Sequence, residues 1–400
     1  MAKQHNNIDR RNFVATTALN YSAVMGANDR VRVGIIGAGG RGKLLTGEFK
    51  EIGVEMAAVC DVYEPNLAGG LKAASSGAKG YGNYKRMLED KSLDVVVVAT
   101  PDHWHAPMTI DAVEAGKDVY VEKPMAHTIE AGYGMIEATR RTKRVVQVGM
   151  QRRSFDLFEE GARVMKESDI GEVRLVNAWW YNHQAGLRTN KLEGALDWSQ
   201  WLGSAPKREM DPTRFFNWYY YWDYSGGLMI GQAAHAVDSI QWFMGSTTPL
   251  AVTTSAGQAN LKPAEVPETT CMCIEYPENY MAIFTVGYKA MRYSLLLDQL
   301  TQYHGSKARF DMGRESYALY REDPKALELK PTFEKKSPGA FNGAVRAHIR
   351  NFLECVKSRK DPNGAVELGQ QTNITLCMAM ESLQKQRRIR WNNAAKRMEA

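Results

Sequence analysis

The stretch VRVGIIGAGGRG, residues 31–42, decides the fold. Its first six residues, four of them β-branched, read as a parallel strand. The next six form a GxGxxG run, and Leu44, Leu45, Phe49 and Ile52 then recur at helical spacing. Strand, glycine turn and helix in that order form the opening of a dinucleotide-binding βαβ unit. Gly37 permits the tight turn, Gly39 lets the backbone approach a pyrophosphate, and Gly42 lets the helix lie close to the sheet. Gly40 and Arg41 complete the loop, whose helix N-terminal amides attract phosphate. A second strand, residues 54–60, ends in Asp61, 24 residues after Gly37. A carboxylate there accepts the ribose hydroxyls of NAD and repels the extra phosphate of NADP. Arg41 could tolerate that phosphate, which tempers the preference.

The same alternation of strand and helix continues outward. A short third strand is expected near residues 78–81. Residues 93–99 are apolar on both faces, as central parallel strands are. They lead into Thr100, Pro101, Asp102, His103, Trp104 and His105. In open α/β sheets ligands sit beyond the carboxyl ends of the strands, so Thr100, Pro101, His103, Trp104 and His105 are candidate cofactor contacts. A helix over 107–115 precedes a fifth strand, 118–121, which ends in Glu122-Lys123-Pro124. A charged pair is costly in a core but well placed in a cleft, so Glu122 and Lys123 join the set. Thr128 is a helix cap. A sixth strand, 145–149, runs into Gln151, Arg152 and Arg153. The sum is a six-stranded doubly wound domain of the α/β class.

The chain totals 400 residues, which suits two domains. With 44% hydrophobic and 24% charged residues it is a globular composition. A net charge of +6, scattered along the chain, fits an anionic small ligand and does not call for nucleic acid. The five cysteines form no CxxC pair, and the eight histidines do not cluster with them at ligand spacing, so no metal site is expected. No stretch approaches the roughly 20 apolar residues of a membrane span. At the N-terminus Arg10 and Arg11 precede a mildly apolar, small-residue stretch, the pattern of a twin-arginine export signal over residues 1–29 and hence of a periplasmic or exported protein; the alternative is a basic tail on a cytoplasmic one.

Past residue 153 the pattern changes. A helix to about residue 167 and a strand over 173–180 are followed by a long irregular stretch. Between Trp218 and Tyr224 it holds four tyrosines and two tryptophans. Rings with polar tips suit carbohydrate CH surfaces and hydroxyls. Short alternating runs at 250–255, 272–275, 281–286, 293–297 and 307–311 predict an open, mostly antiparallel sheet. Helices are expected over 344–357 and 365–384, with Arg387, Arg388 and Arg390 at a solvated helix end.

Taken together, residues 37–42, Asp61, Thr100-Pro101 through His105, Gly116-Lys117-Asp118-Val119, Glu122-Lys123-Pro124 and Gln147-Val148-Gly149 resemble the family of glucose–fructose oxidoreductase, inositol dehydrogenase and MocA-type enzymes. Leu196-Asp197-Trp198, Trp201-Leu202-Gly203, the aromatic run and Gly226-Gly227 with His235 and Asp238 resemble its exported branch. The resemblance covers about residues 30–391. It implies a nucleotide-binding domain over 30–153, a substrate and oligomerisation domain over 154–391, a C-terminal tail over 392–400, and a homo-oligomer. It implies NAD as cofactor and hydride transfer with a ring hydroxyl of a sugar, glycoside or cyclitol. The lysine matching Lys123 touches both nicotinamide ribose and substrate, and a histidine matching His235 serves in proton transfer. Arg152, Tyr181, Trp222 and Tyr224 are the further candidate substrate contacts. One departure stands out. Many members carry an aspartate four residues before the histidine, where this chain has Gly231. Asp238, three residues after His235, is then the candidate partner of the imidazole, and Gly231 is a position that would leave room for a larger substrate. Two other readings stay open: a glycoside hydrolase that uses tightly bound NAD for transient oxidation and elimination, and a non-catalytic sugar-binding protein.

Overall fold

The computed structural model describes residues 30–181, 186–287 and 289–399; the twin-arginine segment lies outside them. Six strands form the first sheet: β1 (Arg32–Ile36), β2 (Glu55–Cys60), β3 (Lys79–Tyr81), β4 (Val95–Val98), β5 (Asp118–Val121) and β6 (Val146–Val148). Their order is β3-β2-β1-β4-β5-β6 and every pair is parallel. The order reverses between β1 and β4, and the turns after both strands lie at that switch point, where doubly wound sheets bind ligands. β4 is buried along its whole length, which accounts for its unbroken apolar sequence, and β5 is equally buried, its one charged residue, Asp118, accepting from Val145 N–H at 2.8 Å.

The second sheet has ten strands among the described residues. Its centre is the strand Val173–Tyr181, parallel to Tyr280–Gly287 and antiparallel to Gln299–Gly305. All its other pairings are antiparallel. Thr270–Tyr276 alternates buried and half-buried residues, so one face is packed and the other open. The packed face is covered by helices Asp156–Glu167, Gly227–Met244 and Val366–Lys385, whose apolar residues join one core with Met272, Ile274, Phe284 and Phe310.

Three sequence expectations change. The run 293–297 is a turn, held by Leu297 N–H donating to the Ser294 carbonyl at 2.9 Å, and the strand follows it at Gln299–Gly305. The basic run lies exposed just beyond the helix Val366–Lys385, but it leads into a strand: Arg390 lies on Ile389–Asn392, and Arg388 pairs with Glu275 at 2.6 Å. The tail 392–400 is not separate, because Arg397–Glu399 pairs back on that strand. The domain division is also less clean than residue 153 suggests. Helix Ala344–Ser358 returns to the first sheet, where Ile349, Phe352 and Leu353 pack with Val33, Ile35, Phe49 and Tyr120.

Candidate active site

The glycine turn after β1 is shaped by two steric demands. Gly37 has φ +89°, and a Cβ there would lie 2.6 Å from the Ala99 carbonyl oxygen. A Cβ on Gly42 would overlap the Gly37 carbonyl oxygen, so the helix Gly40–Glu51 rests directly on the turn. Gly39 and Gly40 face the other way, into open space; the nearest atom to a Cβ on Gly39 is Asn66 Nδ2 at 3.9 Å. That is the cradle a pyrophosphate requires. Asp61 stands beside it at the end of β2. Its Oδ2 accepts from Ala38 N–H at 2.7 Å and its Oδ1 from Tyr63 N–H at 2.9 Å. Burial pushes this carboxyl up, and those N–H donors with Asn66 pull it back. Arg41 is tied to Glu122, its Nε donating at 2.7 Å and its Nη2 at 2.6 Å to the same oxygen.

A cavity of about 780 Å³ runs from this cradle across the ends of β1 and β4 to the second domain. At its far wall stand Lys123, His235 and Tyr219. Lys123 leaves the end of β5, and its Nζ donates to the Gly231 carbonyl at 3.0 Å. Burial lowers its pKa, opposed by the charges of Glu122 and Asp102. His235 sits on the long helix Gly227–Met244, stacked on Trp180 with ring centroids 6.0 Å apart. Its Nδ1 is buried without a hydrogen-bond partner. Burial, with Lys123 and Arg152 close by, holds the imidazole well below its ordinary range, so it is neutral. Tyr219 precedes this helix, in the turn Trp218–Tyr220. A Cβ on Gly231 would fall inside its hydroxyl. Burial and the neighbouring Asp102 raise its pKa well above the usual phenol value, so it keeps its proton. Asp102 is itself buried and accepts from Ser225 Oγ at 2.5 Å.

The irregular stretch after residue 186 lies along the nucleotide side of the cavity as a strap. Glu64 N–H donates to the Ala195 carbonyl and Asp197 N–H to the Val62 carbonyl, both at 2.9 Å. Asn83 Nδ2 reaches Gln200 at 2.8 Å and Trp104 Nε1 the Trp201 carbonyl at 2.7 Å. Tyr63, Trp201, Phe215, Tyr221 and Tyr224 form a separate small core beneath it.

The chain matches two family models, one described as the oxidoreductase family with NAD-binding Rossmann fold over residues 31–150 and one as the GFO/IDH/MocA C-terminal domain over residues 158–311. The chain belongs to the Gfo/Idh/MocA family. The curated relatives of this Gfo/Idh/MocA chain match over part of their length. A glycosyl hydrolase family 109 protein of Shewanella baltica is 36% identical over 125 residues, 29% of this chain and 27% of that protein. Inositol 2-dehydrogenase of Salmonella paratyphi B is 32% identical over 131 residues, 32% of this chain and 39% of that protein. The fold matches throughout: levoglucosan dehydrogenase in complex with NADH and levoglucosan has a TM-score of 0.71 at 16% identity, covering 90% of this chain and 98% of that one. The WlbA dehydrogenase of Chromobacterium violaceum, in complex with NADH and UDP-GlcNAcA, has a TM-score of 0.70 at 20% identity, covering 91% and 96%.

Against the Gfo/Idh/MocA pattern, the structure brings together Gly37, Gly39, Gly40, Arg41, Asp61, Thr100, Pro101, Trp104, His105, Glu122, Lys123, Gln151 and His235 on one cavity. Five expected contacts lie elsewhere. His103 turns into the small aromatic core, its Nε2 3.2 Å from the Trp201 carbonyl, and burial takes its pKa down to about 3. Arg152 is buried behind His235, over the rings of Phe158 and Trp180, with Nη2 donating to Gln299 at 2.6 Å. Tyr181 stacks on Trp179, off the cavity, and Tyr224 is fully buried in the small core. Trp222 is held by its backbone N–H on Glu265 and does not line the cavity. Asp238 does not orient His235: Arg153 Nε donates to its Oδ1 at 2.7 Å, and the two side chains are 10% and 1% exposed. Gly231 opens no extra room either, because the Tyr219 hydroxyl fills the space. Asn66 and Arg188 were not singled out, and each reaches the cavity through tertiary packing; Tyr219 and Asp102 lay inside stretches that were, without being named as site residues.

Proposed function

We propose that this protein is an NAD-dependent dehydrogenase that moves a hydride between the nicotinamide and a ring hydroxyl of a sugar, glycoside or cyclitol. The observation that carries it is that Lys123 and His235, from different domains, line one cavity with the glycine turn and Asp61. The bound nicotinamide supplies the hydride acceptor or donor; the protein aligns it and handles the proton. Lys123, with its pKa lowered by burial, donates to the substrate oxygen or relays its proton. His235, neutral because it is buried among cations, accepts the hydroxyl proton. Preference for NAD is supported by the half-buried Asp61 carboxylate, which lines the cavity at the end of the second strand, and by Arg41, which is committed to Glu122 rather than to Asp61. The relatives and structural neighbours named as inositol and levoglucosan dehydrogenases support the substrate class.

A second reading has its own support. The strap 186–224 closes over the nucleotide side, which favours a cofactor retained between turnovers, as transient oxidation and elimination of a glycoside requires. The glycosyl hydrolase family 109 relative points the same way over 27% of its length. One experiment separates the two: incubation of the protein with free sugars, cyclitols and aryl glycosides, without and then with added NAD, with products resolved by mass. Ketone formed only with added NAD supports the dehydrogenase. Aglycone released without net cofactor turnover supports the hydrolase and overturns it. We also propose export through the twin-arginine residues 10–11, to be checked by locating the full chain after fractionation. Homo-oligomerisation is likewise our proposal. It is supported by the open sheet face, where Met281 is 39% exposed, and light scattering reads it directly.

A further inference from the structure

The space beside Gly231 is occupied by the phenol end of Tyr219, its hydroxyl nearest with Cζ and Cε2 behind it, and Tyr219 lines the same cavity as Lys123 and His235. The coincidence is specific. The carbonyl of Gly231 accepts the Lys123 ammonium at 3.0 Å, while the missing side chain of the same residue is what admits the phenol. A carboxylate at this position would accept hydrogen bonds and pair with the ammonium or an imidazolium. A phenol held in its protonated form has a hydrogen to donate. Nothing else on the helix Gly227–Met244 replaces the carboxylate, since the one buried acid there, Asp238, is spent on Arg153.

Resting on the dehydrogenase reading above, we infer that Tyr219 is a catalytic residue that donates its phenolic hydrogen bond to the reacting oxygen of the substrate, and that Gly231 is the position that makes room for it. In the oxidising direction the substrate O–H bond breaks and its proton passes to neutral His235. Bound NAD would supply the hydride acceptor for the carbinol hydrogen and its electron pair, so that a C=O bond replaces the C–H bond. Negative charge grows on the oxygen as this happens, and Tyr219 and Lys123 are the two donors aimed at it, an arrangement that stabilises a developing alkoxide. In the reducing direction the same two donors polarise the carbonyl. Asp102, buried beside Tyr219 and Lys123 and anchored by Ser225, disfavours ionisation of the phenol and so keeps the donor charged with its hydrogen.

The test compares wild type, Tyr219→Phe, Gly231→Ala and the double variant in single turnovers with NAD bound, using myo-inositol, glucose and phenyl glucoside as probes and NADH fluorescence as the signal. Thermal unfolding and NAD affinity are measured alongside. Tyr219→Phe is expected to lose about 10²-fold in rate, the cost of removing one such donor, with NAD affinity unchanged and a larger primary isotope effect from the deuterated carbinol. Gly231→Ala, which displaces the phenol, is expected to lose a similar factor, and the double variant no more than either single change. A Tyr219→Phe rate within about threefold of wild type, well inside that expected loss, or a loss confined to substrate KM or melting temperature, overturns the inference while leaving the dehydrogenase reading intact. A wild-type protein that binds NAD and transfers no hydride with any probe overturns both.

Discussion

Replacement of Asp238 by Asn tests whether that carboxylate serves the imidazole or the fold. Its Oδ1 receives Arg153 Nε at 2.7 Å, with side-chain exposures of 1% and 10%. The guanidinium also lies over the Trp242 ring, 5.5 Å from its centroid, so it cannot swing to water without leaving that contact. Removing one partner of a buried pair leaves the other charge uncompensated and costs about 3–5 kcal/mol. Asn still offers an oxygen to Nε, which argues for the lower figure, about 3 kcal/mol. For a unit of this size 1 kcal/mol moves the melting temperature by roughly 2–4 °C, so a fall of roughly 6–12 °C is expected. Calorimetry reads that fall, and the rate of NAD-dependent oxidation, measured well below the transition, is expected to stay within about threefold of wild type because the exchange touches no proton-handling group. A melting temperature unchanged to within a degree or two, together with a rate loss of roughly 10²-fold or more, would refute the reasoning and return Asp238 to His235.

Three further outcomes are expected. Asp61→Ala should narrow the gap between NAD and NADP affinity, measured by calorimetric titration, because the carboxylate that repels a ribose phosphate is gone; wild-type protein that prefers NADP contradicts this. Lys123→Met should abolish turnover on the order of 10²–10⁴-fold while circular dichroism and the melting temperature stay near wild type, since the side chain ends in the cavity. Acid should destabilise the fold from about pH 6.5 downward. His103, at about 3, and His348, at about 4, sit below their unfolded value because they are buried, so the unfolded chain takes up protons first. Stability present above pH 6.5 is then lost as pH falls toward those values, by up to about 1.4 kcal/mol per pH unit for each histidine. Melting temperatures of wild type and His103→Gln between pH 7 and 5 check it, the variant showing the shallower slope.

The nucleotide half was legible because its demands are local. A turn that needs Gly37, a helix that needs Gly42 close beneath it and a carboxylate at the end of the next strand are all encoded within about one βαβ unit. Lys123 was legible for the same reason, as a charge at the end of a buried strand. The substrate half was not. Asp238 and His235 are spaced to share a helix face, yet Arg153, distant in sequence, claims the carboxylate. The aromatic run divides residue by residue: Tyr221 and Tyr224 are core, Tyr219 faces the cavity, and spacing alone cannot tell them apart. The run 293–297 has a strand's alternation but closes a turn instead.

The return of helix Ala344–Ser358 to the first sheet also bears on how the chain is made. The face behind Val33, Ile35 and Tyr120 is finished by Ile349, Phe352 and Leu353, residues synthesised more than two hundred positions later. The nucleotide domain is therefore not an early, self-sufficient product of translation. While the long middle of the chain emerges from the ribosome, that face lacks the cover of this helix, and transiently exposed apolar surface of this kind is prone to association. A fragment stopped at residue 153 would carry every motif that names the fold and still lack the helix that completes the packing around Val33, Ile35 and Tyr120.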